Sequence, residues 1–175
     1  MSKILVVVYS YTGTCRRLAD LLCGQQGWPM AEITDAKPRR GVLGTWRCLL
    51  DSWLHRKPPI HYRGLPPDGF DAVVLIAPIW AYRLAGPMRT FVDSRRGRLA
   101  DVAVAPVMGG RGAPNAMAEI RRLTGRAPIL GPAFTTREVE DGSCAARLRA
   151  FGDGVRAARG ADVPTRPAIW SPQTS

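Results

Sequence analysis

Ser10, Thr12, Gly13 and Thr14 stand close together in the stretch Ser10-Tyr11-Thr12-Gly13-Thr14-Cys15. Three hydroxyls and a glycine in such a short run can hold an anion. The chemistry depends on what flanks them. Before them runs Ile4-Leu5-Val6-Val7-Val8, an apolar and largely β-branched segment. After them Leu18, Ala19, Leu21 and Leu22 fall at helical spacing. A turn from a buried strand into a helix exposes free N–H groups at the positive end of the helix dipole. The hydroxyls add donors, and Gly13 admits close backbone approach, so the stretch suits a phosphate. The alternative reading is an ordinary strand-to-helix turn, with Thr12 or Thr14 as the N-cap.

Two later stretches have chemistry of their own. Pro78-Ile79-Trp80-Ala81-Tyr82-Arg83-Leu84-Ala85-Gly86-Pro87 follows the apolar run Ala72–Ala77. Trp80 and Tyr82 offer flat apolar surface to a π system, or else simply pack at a strand end. Met108-Gly109-Gly110-Arg111-Gly112-Ala113-Pro114 follows Val102–Val107. Its backbone N–H groups are accessible to the polar edge of a ring.

The elements that must carry these loops follow from the patterning. Strands are expected at residues 3–9, 30–34, 72–77, 102–107 and 128–134, the fourth disturbed by Pro106 and the fifth by Gly131 and Pro132. Helices are expected from Thr14 to Gln26 with Gly27 as the stop, at Met88–Asp93, at Asn115–Thr124 and from Glu138 to about Ala158. Gly152 and Gly154 are the positions where the last helix would bend or break. Continuous apolar strands alternating with helices imply an α/β fold, a three-layer sandwich with a five-stranded parallel sheet of order 2-1-3-4-5 and helices on both faces. In such a sheet the ligand lies beyond the C-terminal ends of strands one, three and four. Those are the ends where the three loops fall.

Residues 36–63 are the least regular part. Lys37, Arg39, Arg40, Arg47, Arg56, Lys57 and Arg63 are basic, and Trp46, Leu49, Leu50, Trp53 and Leu54 repeat at helical spacing. This predicts a basic amphipathic helix from about Leu43 to His55, stopped by Pro58-Pro59. Its apolar face either packs on the sheet or lies on a membrane surface or partner.

The chain has 175 residues, which suits one domain over 1–159 and a Pro-rich, flexible tail over 160–175. No run of about 18 apolar residues predicts a membrane span. The first residues enter a strand without a signal-peptide pattern, so a cytoplasmic protein is expected. Cys15, Cys23, Cys48 and Cys144 form no CxxC pair and read as reduced thiols. His55 and His61 lie outside metal-ligand spacing, so no metal site is expected. The net charge is +11, and 22 of the 25 basic residues are arginines. They are scattered, without the aromatic interleaving of a single-strand binder, so no specific nucleic acid is expected.

Taken in order, these stretches resemble the flavodoxin family and, more broadly, the flavodoxin-like FMN proteins. Ser10–Cys15 is similar to the family's phosphate loop, (Ser/Thr)-x-Thr-Gly-x-(Thr/Ser), with Cys15 departing at the last position. Pro78–Tyr82 with Gly86-Pro87-Met88 resembles the first flavin-flanking loop and its helix, and Met108–Gly112 the second. The resemblance implies FMN as cofactor. By position it implies that Ser10, Thr12, Gly13 and Thr14 hold the phosphate, with Tyr11 and Cys15 also among the cofactor-binding residues of that loop. Pro78, Ile79, Trp80, Ala81 and Tyr82 would face one side of the ring, and Gly109, Gly110, Arg111 and Gly112 the other. It implies a flavodoxin-like redox protein that carries electrons through the flavin to an acidic redox partner or a small-molecule acceptor. Two other readings stay open. One is an NAD(P)H-dependent FMN oxidoreductase, quinone-reductase-like, with Arg83 and Arg111 toward the nicotinamide cofactor's phosphates. The other is a flavin-free binding module using its basic surface. The basic charge and the inserted helix both depart from the usual acidic electron carrier.

Overall fold

The computed structural model describes residues 3–36, 46, 50, 54–110 and 112–160. The central sheet is built from β1 (Ile4–Tyr9), β2 (Met30–Asp35), β3 (Ile60–Arg63), β4 (Ala72–Ile76) and β7 (Asp101–Val104), in the order β3-β2-β1-β4-β7. β1 pairs in parallel with β2 and β4, and β4 in parallel with β7. β1 and β4 are buried at every position. Alternate side chains feed two cores. Leu5, Val7 and Tyr9 point to one and Ile4, Val6 and Val8 to the other. A strand with apolar residues on both faces belongs between two helical layers.

The first core is covered by α2 (Gly86–Ser94) and α3 (Ala113–Thr124), which contribute Met88, Phe91, Ala116 and Ile120. The second is covered by α1 (Thr14–Gln26), α4 (Thr136–Asp141) and α5 (Ala145–Gly160), through Leu18, Leu22, Val139, Leu148 and Phe151. The fold class is therefore the expected α/β sandwich, with a mostly parallel five-stranded sheet.

The strand order differs at both edges. β3 joins β2 antiparallel, with Asp35 opposite Ile60 and Glu32 opposite Arg63. Its alternating, half-exposed residues are those of an edge strand and carry no continuous apolar run. At the other edge the expected fifth strand is broken. Ile129 N–H donates to Val102 O (2.8 Å) and Val104 N–H to Leu130 O (2.9 Å), extending the sheet beside β7. Pro132 cannot donate to a ladder, and Gly131 lies against the Met117 side chain. Pairing resumes only where β9 (Phe134–Thr135) meets β8 (Val107–Met108) in parallel. Pro106 has a similar effect, dividing the expected 102–107 strand into β7 and β8.

The last helix breaks at Gly142, which has a φ of 79° and ends α4, and continues unbroken through Gly152 and Gly154. A Cβ at Gly152 would lie 2.5 Å from Gln26 Nε2, so this glycine allows α5 to cross α1 closely. Of the expected helix Leu43–His55, the described residues are Trp46, Leu50, Leu54 and His55. Trp46 and Leu50 are helical, and Leu54 N–H donates to Leu50 O (2.8 Å). The expected tail, apart from Gly160, lies outside the described residues.

Candidate functional site

Three loops leave the C-terminal ends of β1, β4 and β7 and meet above the sheet. The first, residues 10–13, leads into α1. Gly13 is the N-cap of that helix, with φ 96°, a left-handed conformation open to glycine. No side chain caps the helix, and its first turn holds no acidic residue. Neither Thr12 nor Thr14 is the cap. Instead their hydroxyls share a hydrogen bond (3.3 Å), and Gly13 N–H donates to Ser10 Oγ (3.1 Å). The result is a helix N-terminus rimmed by hydroxyls, with nothing within 4 Å of a Cβ placed on Gly13. Cys15 follows in the first turn but turns its thiol into the second core, where burial pushes it up to about 12. At this position the side chain belongs to the core, and only the backbone faces the loop.

The second loop contains a small hairpin, β5 (Ile79–Trp80) with β6 (Arg83–Leu84). Ala81 and Tyr82 form its two-residue turn, with φ of 48° and 62°. Two successive positive φ values are what a type I′ hairpin turn demands, and Asn-Gly is its usual sequence. Ala-Tyr holds that shape at a cost of about 1–2 kcal/mol per residue, and the turn leaves Tyr82 60% exposed. Trp80 is half-buried and makes edge contacts with Tyr9 (5.9 Å between centroids) and Tyr11 (5.7 Å). It therefore joins the second loop to the first. Tyr9 is fixed in turn by donating its hydroxyl to Asp35 Oδ2 (2.8 Å).

The third loop includes Gly109 and Gly110, both exposed, and Gly112, which caps α3 with φ 111°. A Cβ on Gly112 would lie 2.8 Å from Tyr82 Cα and 2.9 Å from Ile79 Cγ2, so glycine is needed for the two loops to touch. Asn115 Nδ2 donates to Tyr82 O (3.2 Å) across the same junction, and Val107 N–H donates to Ala77 O (3.0 Å) beneath it. Arg111 lies outside the described residues.

Below the loops, Arg89 and Glu119 form a buried ion pair between α2 and α3. Arg89 Nη2 also donates to Leu84 O (2.9 Å), and Nη1 to Arg56 O (3.1 Å). The pair thus ties both helices to the hairpin. Arg83 Nη1 donates to His55 Nε2 (2.6 Å). Burial, with Arg83 and Arg89 nearby, lowers the His55 pKa and favours the neutral ring that accepts this bond. His55, Arg83, Asn115, Glu119 and Arg122 line a cleft of about 300 Å³ beside the hairpin.

The structure thus gathers Ser10–Thr14, Pro78–Tyr82, Gly109, Gly110 and Gly112 at one end of the sheet. Sequence reasoning missed Asn115, the Arg89–Glu119 pair and the His55–Arg83 contact. Each joins residues about 30 positions apart, and in sequence these look like solvated polar side chains. Among the described residues no helix is long and apolar enough to cross a membrane, and no three His, Cys, Asp or Glu residues gather to hold a metal ion.

No family model matches the sequence, and no curated protein matches it. Solved structures do resemble it. A flavoprotein in complex with FMN from Lactobacillus acidophilus NCFM superimposes with a TM-score of 0.66 at 18% identity, covering 82% of this chain and 99% of its own. A flavodoxin, WrbA-like protein from Agrobacterium tumefaciens gives 0.56 at 14% identity, covering 91% of this chain and 99% of its own. The flavodoxin of Fusobacterium nucleatum bound to flavin mononucleotide gives 0.56 at 8% identity, covering 91% and 98%. The strand order about β1, the loops at the switch point and these likenesses agree, and the fold of this chain is flavodoxin-like.

Proposed function

We propose that this chain binds FMN at the three-loop end of the sheet and acts as a redox protein through it. The observation that carries the reading is the α1 N-terminus. It is uncapped, free of acidic side chains and rimmed by Ser10, Thr12 and Thr14, while the two other loops pack beside it. A helix end left open in this way fits a dianionic phosphate. The donor set therefore suits the group: Ser10, Thr12, Gly13 and Thr14 would hold its phosphate, with the backbone of Tyr11 and Cys15 completing the loop. Pro78–Tyr82 and Gly109–Gly112 would flank its ring, with Tyr82 more exposed than Trp80.

Bound FMN supplies the electron transfer itself, and the protein sets its position and surroundings. The Tyr9–Trp80–Tyr11 cluster would shield the ring from water on one side. Backbone N–H groups of Gly109 and Gly110 would bond its polar edge on the other. Electron carriage to an acidic partner or a small-molecule acceptor is the first reading, because the net charge of +11 would steer an acidic partner in a salt-sensitive way.

One observation favours a second reading, an NAD(P)H:acceptor oxidoreductase. The cleft beside the hairpin has Arg83 and Arg122 on its wall, two guanidiniums suited to an anionic co-substrate. The test begins with gel filtration of the protein after incubation with FMN. Co-elution of flavin absorbance with the protein is the expected result, and its absence at micromolar protein with excess FMN refutes the proposal. Steady NAD(P)H oxidation with a quinone by the loaded protein would then select the enzyme, and no turnover would select the carrier.

A further inference from the structure

Trp46, Leu50 and Leu54 are 61%, 45% and 46% exposed, and they account for three of the five large apolar side chains that face solvent among the described residues. They stand four residues apart in sequence, Trp46 and Leu50 are helical, and the Leu54–Leu50 hydrogen bond continues the turn. That spacing puts all three on one stripe of a helix. The expectation that this face packs on the sheet therefore fails at these positions. A stripe of a tryptophan and two leucines in water needs a reason, because isolated exposed apolar residues are ordinary but aligned ones mark a contact surface.

Charge indicates what covers it. Residues 36–63 hold seven basic residues against one acidic residue, Asp51. An apolar stripe set in a strongly basic stretch is the pattern of a helix that lies in the interface of an anionic bilayer. There the apolar side chains sink below the headgroups, and Lys and Arg meet the phosphates. The chain directly after Leu54 is bound to the body. His55 directly follows Leu54 and accepts the hydrogen bond from Arg83. Arg56 O accepts from Arg89, Lys57 pairs with Asp93 (2.7 Å), and Pro58 O accepts from Thr90 (2.8 Å).

We propose that the Trp46–Leu50–Leu54 stripe, within its basic stretch, docks this protein peripherally on an anionic lipid surface. Docking through residues anchored to the Arg83 hairpin brings the three-loop end of the sheet with it. The acceptors within reach would then be lipid-dissolved, hydrophobic ones such as a quinone. The docking does not depend on the FMN reading, since it uses none of the loop residues.

The experiment is vesicle co-sedimentation of the full chain. The vesicles are phosphatidylcholine alone, or phosphatidylcholine with roughly 30% phosphatidylglycerol. The expected result is sedimentation with the anionic vesicles only, weakened by salt. The Leu50→Gln/Leu54→Gln double variant should partition roughly tenfold less well, since it loses apolar burial without changing charge. Both side chains face solvent, and an unchanged circular dichroism spectrum checks that the variant folds. Four results overturn the proposal. One is no sedimentation with anionic vesicles at low salt. Another is equal binding by the double variant, which would make the effect general adsorption of a basic protein. The third is a wild-type dimer in sedimentation velocity that the double variant dissolves, which would assign the stripe to a second copy. Retention of the wild type but not the variant on an immobilised acidic ferredoxin, without vesicle binding, would make it a protein-docking face and would also overturn it.

Discussion

Helices α1 and α4 both begin after a threonine-bearing turn at the same end of the sheet, and they solve the same problem in opposite ways. In α4 the N-cap Thr135 accepts from Glu138 N–H (3.2 Å), and the Glu138 carboxylate accepts from Thr135 N–H (2.8 Å). This capping box satisfies the orphan donors internally and adds a negative charge at the positive end of the helix. In α1 the corresponding position is Gly13, the first turn has no acid, and the three hydroxyls bond one another and the loop. The chain thus builds a self-sufficient helix start at α4 and leaves the start of α1 without a side-chain cap.

If that contrast is functional, a carboxylate placed at α1 should help the empty protein and exclude the ligand. Thr14→Asp is expected to weaken FMN binding roughly hundredfold, about 2.7 kcal/mol, because like charges would share one site. The same change should raise stability without FMN by about 0.3–1 kcal/mol through the helix dipole. Titration of flavin fluorescence and urea unfolding would measure the two opposed effects, and a fall in both would remove the contrast.

α2 and α3 also start without a side-chain cap, and at α3 the cap residue, Gly112, is glycine for a steric reason. Gly112→Ala is expected to cost about 2 kcal/mol, because the residue is left-handed and a Cβ would meet Tyr82 and Ile79. Thermal unfolding without FMN measures it. An equal loss in FMN affinity with no loss of stability would argue against loop packing as the cause.

At the self-capped end, Thr135→Ala should cost about 1 kcal/mol, with FMN affinity unchanged. The cap also gives a pH signature. Hydrogen bonds from Thr135, with Arg147 nearby, hold the Glu138 carboxyl below the ordinary carboxylate range. A carboxyl lowered on folding stabilises the protein above its unfolded pKa, and that contribution is lost as pH falls through the lowered folded value. In the Thr135→Ala variant the acid-side loss of stability should be shallower, which urea midpoints between pH 3 and 6, roughly the carboxylate window, would reveal.

The smallest expected effect is a null. A thiol in the first turn of an uncapped helix ordinarily has a lowered pKa. Burial of Cys15 outweighs this, so it should resist iodoacetamide at neutral pH in the folded protein and react only on unfolding. Labelling of native Cys15, read by mass spectrometry, would mean that the α1 start opens more than the structure shows.

What was legible in the sequence follows the same division between self-contained and borrowed structure. β1, β4 and α1 announce themselves through unbroken apolar runs or a helical repeat ending at Gly27, because their burial is decided within their own residues. β3 does not, since an edge strand with one exposed face has little apolar content and Pro58-Pro59 precedes it. The fifth strand was visible but its division was not, because Gly131 is set by contact with Met117, more than ten positions away. The hydroxyl-bearing turn into α1 was legible from residue types alone. The way the other loops lock to it was not: Ala81-Tyr82 carries no turn signature, and the Arg89–Glu119 pair links two helix faces that each read as half-solvated.

The antiparallel edge has a consequence for how this protein can vary. Asp35 stands opposite Ile60, and Ala36 N–H donates to Pro59 O (3.1 Å). The chain therefore leaves the sheet after Ala36 and returns to it at Pro59, at the same point, while His55, Arg56, Lys57 and Pro58 are bound to the hairpin and α2. Closure entropy grows only slowly with loop length. The segment ahead of His55, which bears Trp46, Leu50 and Leu54, can therefore change in length or sequence without disturbing the register of any parallel strand. On the two proposals made above, surface preference and flavin chemistry would sit on separate pieces of the chain, and selection could alter the first without retuning the second.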